Sequence, residues 1–65
     1  MKLIVNGEPR DVAAATLADL CRVLDFDFDA VATAVNGDFV PKGKRTATAL
    51  AANDAVEIVS PRQGG

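Results

Sequence analysis

The sequence predicts a single α+β domain in which a mixed sheet packs on one helix. Two Asn-Gly pairs, Asn6-Gly7 and Asn36-Gly37, each separate β-compatible stretches and favour tight hairpins. Residues 17–24 have the apolar spacing of an amphipathic helix, and residues 55–59 alternate apolar and polar side chains like a half-buried strand. A length of 65 residues leaves room for one small domain and no second one.

The first hairpin is predicted around Asn6-Gly7, because both residues tolerate the positive φ angles of a two-residue turn. Its first strand covers Lys2–Asn6, and the return strand is expected over Arg10–Ala13. Pro9 has no backbone N–H, so it places the return strand at a sheet edge or at the strand's own start.

The helix is predicted to begin after Thr16, with Asp19 three residues later as in a capping box. Its apolar residues lie at positions i, i+3, i+4 and i+7 and form one stripe. The stripe consists of Leu17, Leu20, Cys21 and Leu24. We interpret Cys21 as a buried, inert side chain, because the chain has no histidine and no basic cluster nearby to activate a thiol.

The segment after the helix, Asp25–Asp29, alternates three acidic residues with two phenylalanines. Its spacing could be a fragment of a calcium-binding loop, but the glycine and the distal glutamate of such a loop are missing. We therefore interpret it as a solvated connector whose phenylalanines fold back over the core.

A second hairpin is predicted from Val31–Val35 and Asp38–Val40, and Pro41 ends it. The basic residues that follow are interpreted as a solvated turn around a glycine, with a turn of helix or 3₁₀ helix expected over Thr46–Leu50. Those basic residues are Lys42, Lys44 and Arg45.

The final strand is predicted over Ala55–Val59, with Val56 and Ile58 facing inward. We expect it to pair beside the first strand, since the other strands already have hairpin partners. Two hairpins and a final strand packed on one helix make the β-grasp, or ubiquitin-like, arrangement.

Composition excludes several classes of function. The net charge of −2 argues against nucleic-acid binding, and the single cysteine and absent histidine argue against a disulfide, a metal site or acid–base catalysis. The apolar run at the N-terminus is too short for a signal peptide or a membrane span. We therefore expect a cytoplasmic, non-enzymatic protein with no bound cofactor or metal and no catalytic residues.

The chain closes with a polar, glycine-tipped stretch, Ser60–Gly65. We predict a folded domain over residues 1–59 and a flexible tail over residues 60–65. Fully extended, the tail would reach about 20 Å, and its two terminal glycines could thread a narrow channel. Taken alone, a Gly-Gly end also fits an ordinary disordered terminus.

Taken in order, the motifs resemble the ubiquitin-like sulfur carriers of prokaryotes, the ThiS/MoaD family, and within it the ThiS carriers of thiamin biosynthesis. The resemblance covers essentially the whole chain. It rests on Val5-Asn6-Gly7-Glu8, Thr16-Leu17, Val35-Asn36-Gly37, Phe39-Val40-Pro41-Lys42, Asn53-Asp54, Val56–Val59 and Gly64-Gly65. Two positions depart from the family pattern: Arg45 or its neighbours stand where an aromatic residue is common, and Ala52-Asn53-Asp54 replaces a frequent Asp-Gly-Asp.

The resemblance implies that Gly65 is the modified residue and that Gly64 and Gln63 help a partner recognise the tail. A ThiF-like adenylyltransferase would use ATP to adenylate the Gly65 carboxylate. Sulfur supplied by a cysteine desulfurase would then give a thiocarboxylate, which a ThiG-like thiazole synthase would consume. The free protein would be a monomer, and by analogy would dock through the sheet face away from the helix.

Three alternatives stay open from the sequence. The chain could be a MoaD-like carrier for molybdopterin or for another sulfur-containing metabolite. It could be a non-covalent β-grasp interaction module whose Gly-Gly end is incidental. Conjugation of Gly65 to lysines, in the manner of ubiquitin, is the third.

Overall fold

The computed structural model describes residues 1–60, and it contains a five-stranded mixed sheet and one α-helix. The sheet order is β2-β1-β5-β3-β4, which confirms the predicted α+β, β-grasp architecture. The strands and the helix are β1 Lys2–Val5, β2 Glu8–Asp11, α1 Leu17–Val23, β3 Ala32–Val35, β4 Asp38–Val40 and β5 Ala55–Val59.

Strand β5 lies at the centre of the sheet and joins the two hairpins. It pairs in parallel with β1, with Val56 opposite Val5, and antiparallel with β3, with Ile58 opposite Thr33. The predicted pairing of the final strand beside the first is confirmed. Val56 and Ile58 are 1% and 2% exposed, so they face the core as predicted.

Both hairpins turn at their Asn-Gly pairs. Asn6 and Gly7 have φ angles of 51° and 84°, and Asn36 and Gly37 have 51° and 87°, the left-handed values that a two-residue turn requires. Because the first turn has only two residues, Glu8 stands opposite Val5. The return strand therefore begins two residues before the predicted Arg10, and it ends at Asp11 rather than Ala13. It is an edge strand, as Pro9 predicted.

Helix α1 begins with the predicted capping box. The Asp19 backbone N–H donates to the Thr16 hydroxyl, and the Thr16 N–H donates to the Asp19 carboxylate. The helix ends at Val23, so Leu24 is its C-cap and only partly buried. The rest of the stripe is fully buried in the core. Burial raises the pKa of the Cys21 thiol, although the charge of Arg45 partly opposes the rise.

The core lies between α1 and one face of the sheet. Phe26 and Phe28 fold back against it from the acidic connector, as the sequence predicts. The buried apolar residues include Leu3, Val5, Leu17, Leu20, Cys21, Val56 and Ile58. In the described part of the chain the longest helix has seven residues, too few to cross a bilayer, which takes about 20.

The basic segment after β4 corrects the sequence interpretation. It is a 3₁₀ helix over Lys42–Ala47 in which Lys42 and Lys44 are exposed, as predicted, and only Thr46 and Ala47 of the expected Thr46–Leu50 turn are helical. Lys42 does lie at the surface, where it forms an ion pair with Asp29. Arg45 instead points inward and is only 2% exposed.

The guanidinium of Arg45 is held by groups from two other segments. It donates to the carbonyls of Phe28 and Val31, each at 2.7 Å, and to the Thr33 hydroxyl at 2.9 Å. Its carbon also lies 4.8 Å from the centroid of the Phe28 ring, which is cation–π geometry. Arg45 therefore ties the 3₁₀ helix to the connector and to β3, and no carboxylate among residues 1–60 pairs with it.

Candidate functional site

The residues that the sequence singles out for chemistry, Gln63, Gly64 and Gly65, lie outside the described residues. What the structure does describe is the part of the fold from which they continue. Strand β5 ends at Val59, and Ser60 follows it as an exposed residue. Within the described residues, the candidate site therefore begins at the end of the central strand, which forms its base.

One face of the sheet is open beside this base. The face opposite the helix carries the outward side chains of β3, β4 and β5, and register brings them together: Ala34 lies opposite both Phe39 and Glu57. Phe39 is 69% exposed and Val59 is 55% exposed. With Ala32, these residues line a shallow hollow that we call the open-face patch: Ala32, Ala34, Phe39, Glu57 and Val59. It combines an apolar surface with one carboxylate, next to the end of β5.

The side chain of Asn6 reaches the same strand end. Its Oδ1 accepts from the Ile58 backbone N–H at 2.9 Å, and its Nδ2 donates to the Ile58 carbonyl at 3.0 Å. The sequence predicts only the turn at Asn6, not this contact across 52 positions. The contact depends on the parallel pairing of β1 and β5, which no local pattern encodes.

The second turn asparagine holds the other end of β5. The Asn36 Oδ1 accepts from the Ala55 N–H at 2.9 Å, and its Nδ2 donates to the Asp54 carboxylate at 3.1 Å. A hydrogen bond from the Ala51 backbone, together with the one from Asn36, holds the pKa of Asp54 below its usual value. The sequence repeats Val-Asn-Gly at residues 5–7 and 35–37, and this repeat is the signal that could have predicted similar roles for the two asparagines.

The remaining perturbed groups serve the fold. Burial of Asp19 opposes its ionisation, but hydrogen bonds from Thr16, Ala15 and Arg22 together lower its pKa. The hydrogen bond and charge of Lys42 lower the pKa of Asp29. Among residues 1–60, no three His, Cys, Asp or Glu side chains cluster closely enough to hold a metal ion. The described residues thus offer an open sheet face and a strand held at both ends, rather than a set of reacting groups.

Comparison with known proteins gives consistent results. A sequence model of the ThiS family matches residues 3–65. The fold is similar to the crystal structure of the thiamine biosynthesis protein ThiS from Geobacter metallireducens, with a TM-score of 0.85, 30% sequence identity and full coverage of both chains. It is also similar to the solution NMR structure of a thiamine biosynthesis protein from the same organism, with a TM-score of 0.82, 30% identity and coverage of 100% of this chain and 88% of that one. A search of curated protein sequences finds no significant match.

Proposed function

This chain belongs to the ThiS family, the small sulfur carriers of thiamin biosynthesis, and we propose that the carboxylate of Gly65 is the group that carries the sulfur. The carriers of this family are protein co-substrates rather than enzymes. The observation that carries the proposal is the order of the sequence: the Gly-Gly end follows shortly after β5. The strand is held between both hairpins, and the family match runs from residue 3 through residue 65.

The chemistry follows from the state of a carboxylate at neutral pH. It is ionised and therefore a poor electrophile. A ThiF-like enzyme would let a Gly65 carboxylate oxygen attack the α-phosphorus of ATP, forming the acyl-adenylate and releasing pyrophosphate. A sulfur nucleophile, supplied as a persulfide through a cysteine desulfurase, would then displace AMP. Reductive cleavage of the sulfur–sulfur bond by a thiol would leave the thiocarboxylate for a ThiG-like thiazole synthase.

The chain's own residues contribute presentation in this scheme. Gly64 has no Cβ, so the backbone just before the reacting carboxylate can fit a narrow channel of the partner. Gln63 offers a side-chain amide that the partner can recognise. ATP belongs to the activating enzyme, and this chain binds no cofactor of its own. We place the protein in the cytoplasm as a monomer when free.

The open-face patch is the surface that we assign to the partner enzymes. Phe39 and Val59 supply exposed apolar area beside the strand end, and Glu57 supplies one negative charge that a basic residue of the partner can meet. Docking there would bring the end of β5, from which the chain continues to Gly65, against the partner. The adenylyltransferase and the thiazole synthase would then bind in turn rather than together.

Intact-protein mass spectrometry tests the proposal. The native-ended protein is incubated with ATP, a ThiF-like adenylyltransferase, a thiol reductant, and a cysteine desulfurase with cysteine. We expect a mass gain equal to replacing one oxygen by sulfur, mapped to Gly65 by fragmentation. A matched protein with additional residues after Gly65 should gain nothing, because its Gly65 has no free carboxylate. An unchanged native protein, beside a second carrier that the same enzyme converts, would show that this chain is a non-covalent binding module.

A further inference from the structure

We propose that Asn6 is a positioning residue for the proposed sulfur transfer, because its side chain sets the direction in which the chain leaves the sheet toward Gly65. This inference rests on the proposed function. The motivating observation is that, on the β1 side of β5, a side chain and not a strand pairs with the backbone of Ile58.

The pairing of β1 with β5 stops early. The Ile4 N–H donates to the Asp54 carbonyl and the Asn6 N–H donates to the Val56 carbonyl, each at 2.9 Å. The next rung would need a further residue of β1 beside Ile58. The chain instead turns away at Asn6-Gly7, so β1 has no backbone to offer there.

The Asn6 carboxamide supplies the missing rung. It presents one acceptor and one donor in the arrangement of a peptide group, and it bonds both the N–H and the carbonyl of Ile58. The other side of β5 is held by β3, through Glu57 opposite Ala34 and Val59 opposite Ala32. Asn6 thus makes the last two residues of β5 a strand supported on both sides, directly before Ser60.

Support on both sides matters because the tail acts at a distance. If Ile58 and Val59 detach from the sheet, the point from which the chain continues toward Gly65 shifts, and misplacing a reacting group by about 1 Å can cost a hundredfold in rate. A held strand end raises the fraction of docked complexes in which Gly65 reaches the partner's active site. Asn6 would therefore affect turnover rather than docking.

The second hairpin provides a matched control. Asn36 has the same φ of 51°, the same following glycine, and a side-chain bond to β5, but at Ala55, the end remote from the tail. Asn6→Gly and Asn36→Gly each remove one carboxamide while keeping a residue that accepts positive φ without strain. The two variants therefore lose similar contacts at opposite ends of one strand.

The first measurement is amide hydrogen exchange by NMR, which does not depend on any partner. In Asn6→Gly the Ile58 amide should exchange about tenfold faster relative to the Glu57 amide, and in Asn36→Gly the Ala55 amide should respond instead. An Ile58 amide whose exchange is unchanged in Asn6→Gly would overturn the inference. If that variant does not fold, Asn6→Asp replaces it in the adenylation assay: it keeps the acceptor of the Ile58 N–H, so the Ile58 amide should stay protected, but it loses the donor to the Ile58 carbonyl, so kcat should still fall.

The second measurement is the rate of pyrophosphate release when a ThiF-like enzyme adenylates each variant. We expect kcat to fall about tenfold for Asn6→Gly, with KM within about twofold of the wild-type value, and neither constant to change for Asn36→Gly. Wild-type kcat for Asn6→Gly, or an equal loss in both variants, would show that Asn6 serves stability alone. Failure of the wild-type chain to be adenylated would instead refute the proposed function, and this inference with it.

Discussion

Replacing Arg45 by methionine tests whether a buried arginine held by two carbonyls and a hydroxyl stabilises this fold. Methionine keeps most of the side-chain volume but removes all three hydrogen bonds of the guanidinium. The carbonyls of Phe28 and Val31 then lose their charged donor, and Thr33 keeps only the bond that its hydroxyl donates to the Val40 carbonyl, at 2.8 Å.

The size of the loss follows from these contacts. A partly buried carbonyl that loses its donor costs about 1 kcal/mol or somewhat more, and the cation–π contact adds about 0.5–1 kcal/mol. Relief of the desolvation of the guanidinium offsets part of this cost. We expect Arg45→Met to lower the free energy of unfolding by about 2–3 kcal/mol. At roughly 4–8 °C per kcal/mol in a domain of this size, the melting temperature should fall by about 10–20 °C.

Urea and thermal unfolding followed by far-UV circular dichroism measure this loss, since the chain has no tryptophan or tyrosine to report by fluorescence. Arg22→Met is the matched control, because the Arg22 side chain is 71% exposed and its ion pair with Asp19 lies at the surface. It should cost less than about 0.5 kcal/mol. Arg45→Lys should fall between the two, because one ammonium cannot reach all three acceptors. If Arg45→Met were no less stable than Arg22→Met, the guanidinium network would contribute nothing.

Three further predictions use other parts of the chain. Folding lowers the pKa of Asp54, so its stabilising effect should be complete above its ordinary pKa of 3.8 and should disappear as the pH falls further. In an acid titration of stability, Asp54→Asn should therefore lose less stability over that pH range than the wild-type chain. Cys21, the chain's one thiol, is fully buried and has a raised pKa, so a thiol reagent should modify it slowly in native buffer and rapidly in urea; rapid native labelling would contradict its packing. Gly64→Val should leave the unfolding curve unchanged but abolish adenylation, because a branched side chain would collide with a channel shaped for bare backbone; normal ATP–pyrophosphate exchange would refute this.

The elements that the sequence predicts well are those whose signals are local. The Asn-Gly turns and the capping box of Thr16 and Asp19 depend on residues within four positions of one another, so pattern alone locates them. The turn at Asn53 is also explained by a local preference. This residue has a φ of 72°, a left-handed conformation that asparagine tolerates, so the departure from the family's frequent glycine preserves the turn.

The features that the sequence misses depend on distant partners. Arg45 is buried because carbonyls 17 and 14 positions away, at Phe28 and Val31, accept from it. The local sequence Lys42-Gly43-Lys44-Arg45 indicates a solvated turn. The carbonyls that accept from Arg45 belong to a segment that only the tertiary fold brings close to it. The predicted start of β2, at Arg10, was two residues too late, because Glu8 and Pro9 were left out of the strand. Proline interrupts a central strand, but it is tolerated at the edge position that β2 occupies.

Contacts from both hairpins converge on the strand that precedes the tail. Both hairpins pair with β5, and the two turn asparagines form hydrogen bonds with its backbone at Ala55 and Ile58. Strand β5 lies at the centre of the sheet although it is the last of the described strands. A carrier that must deliver its final residue to a partner gains directly from that placement. The strand before the tail cannot leave the sheet without breaking its pairing with both hairpins, so its opening costs more than that of an edge strand.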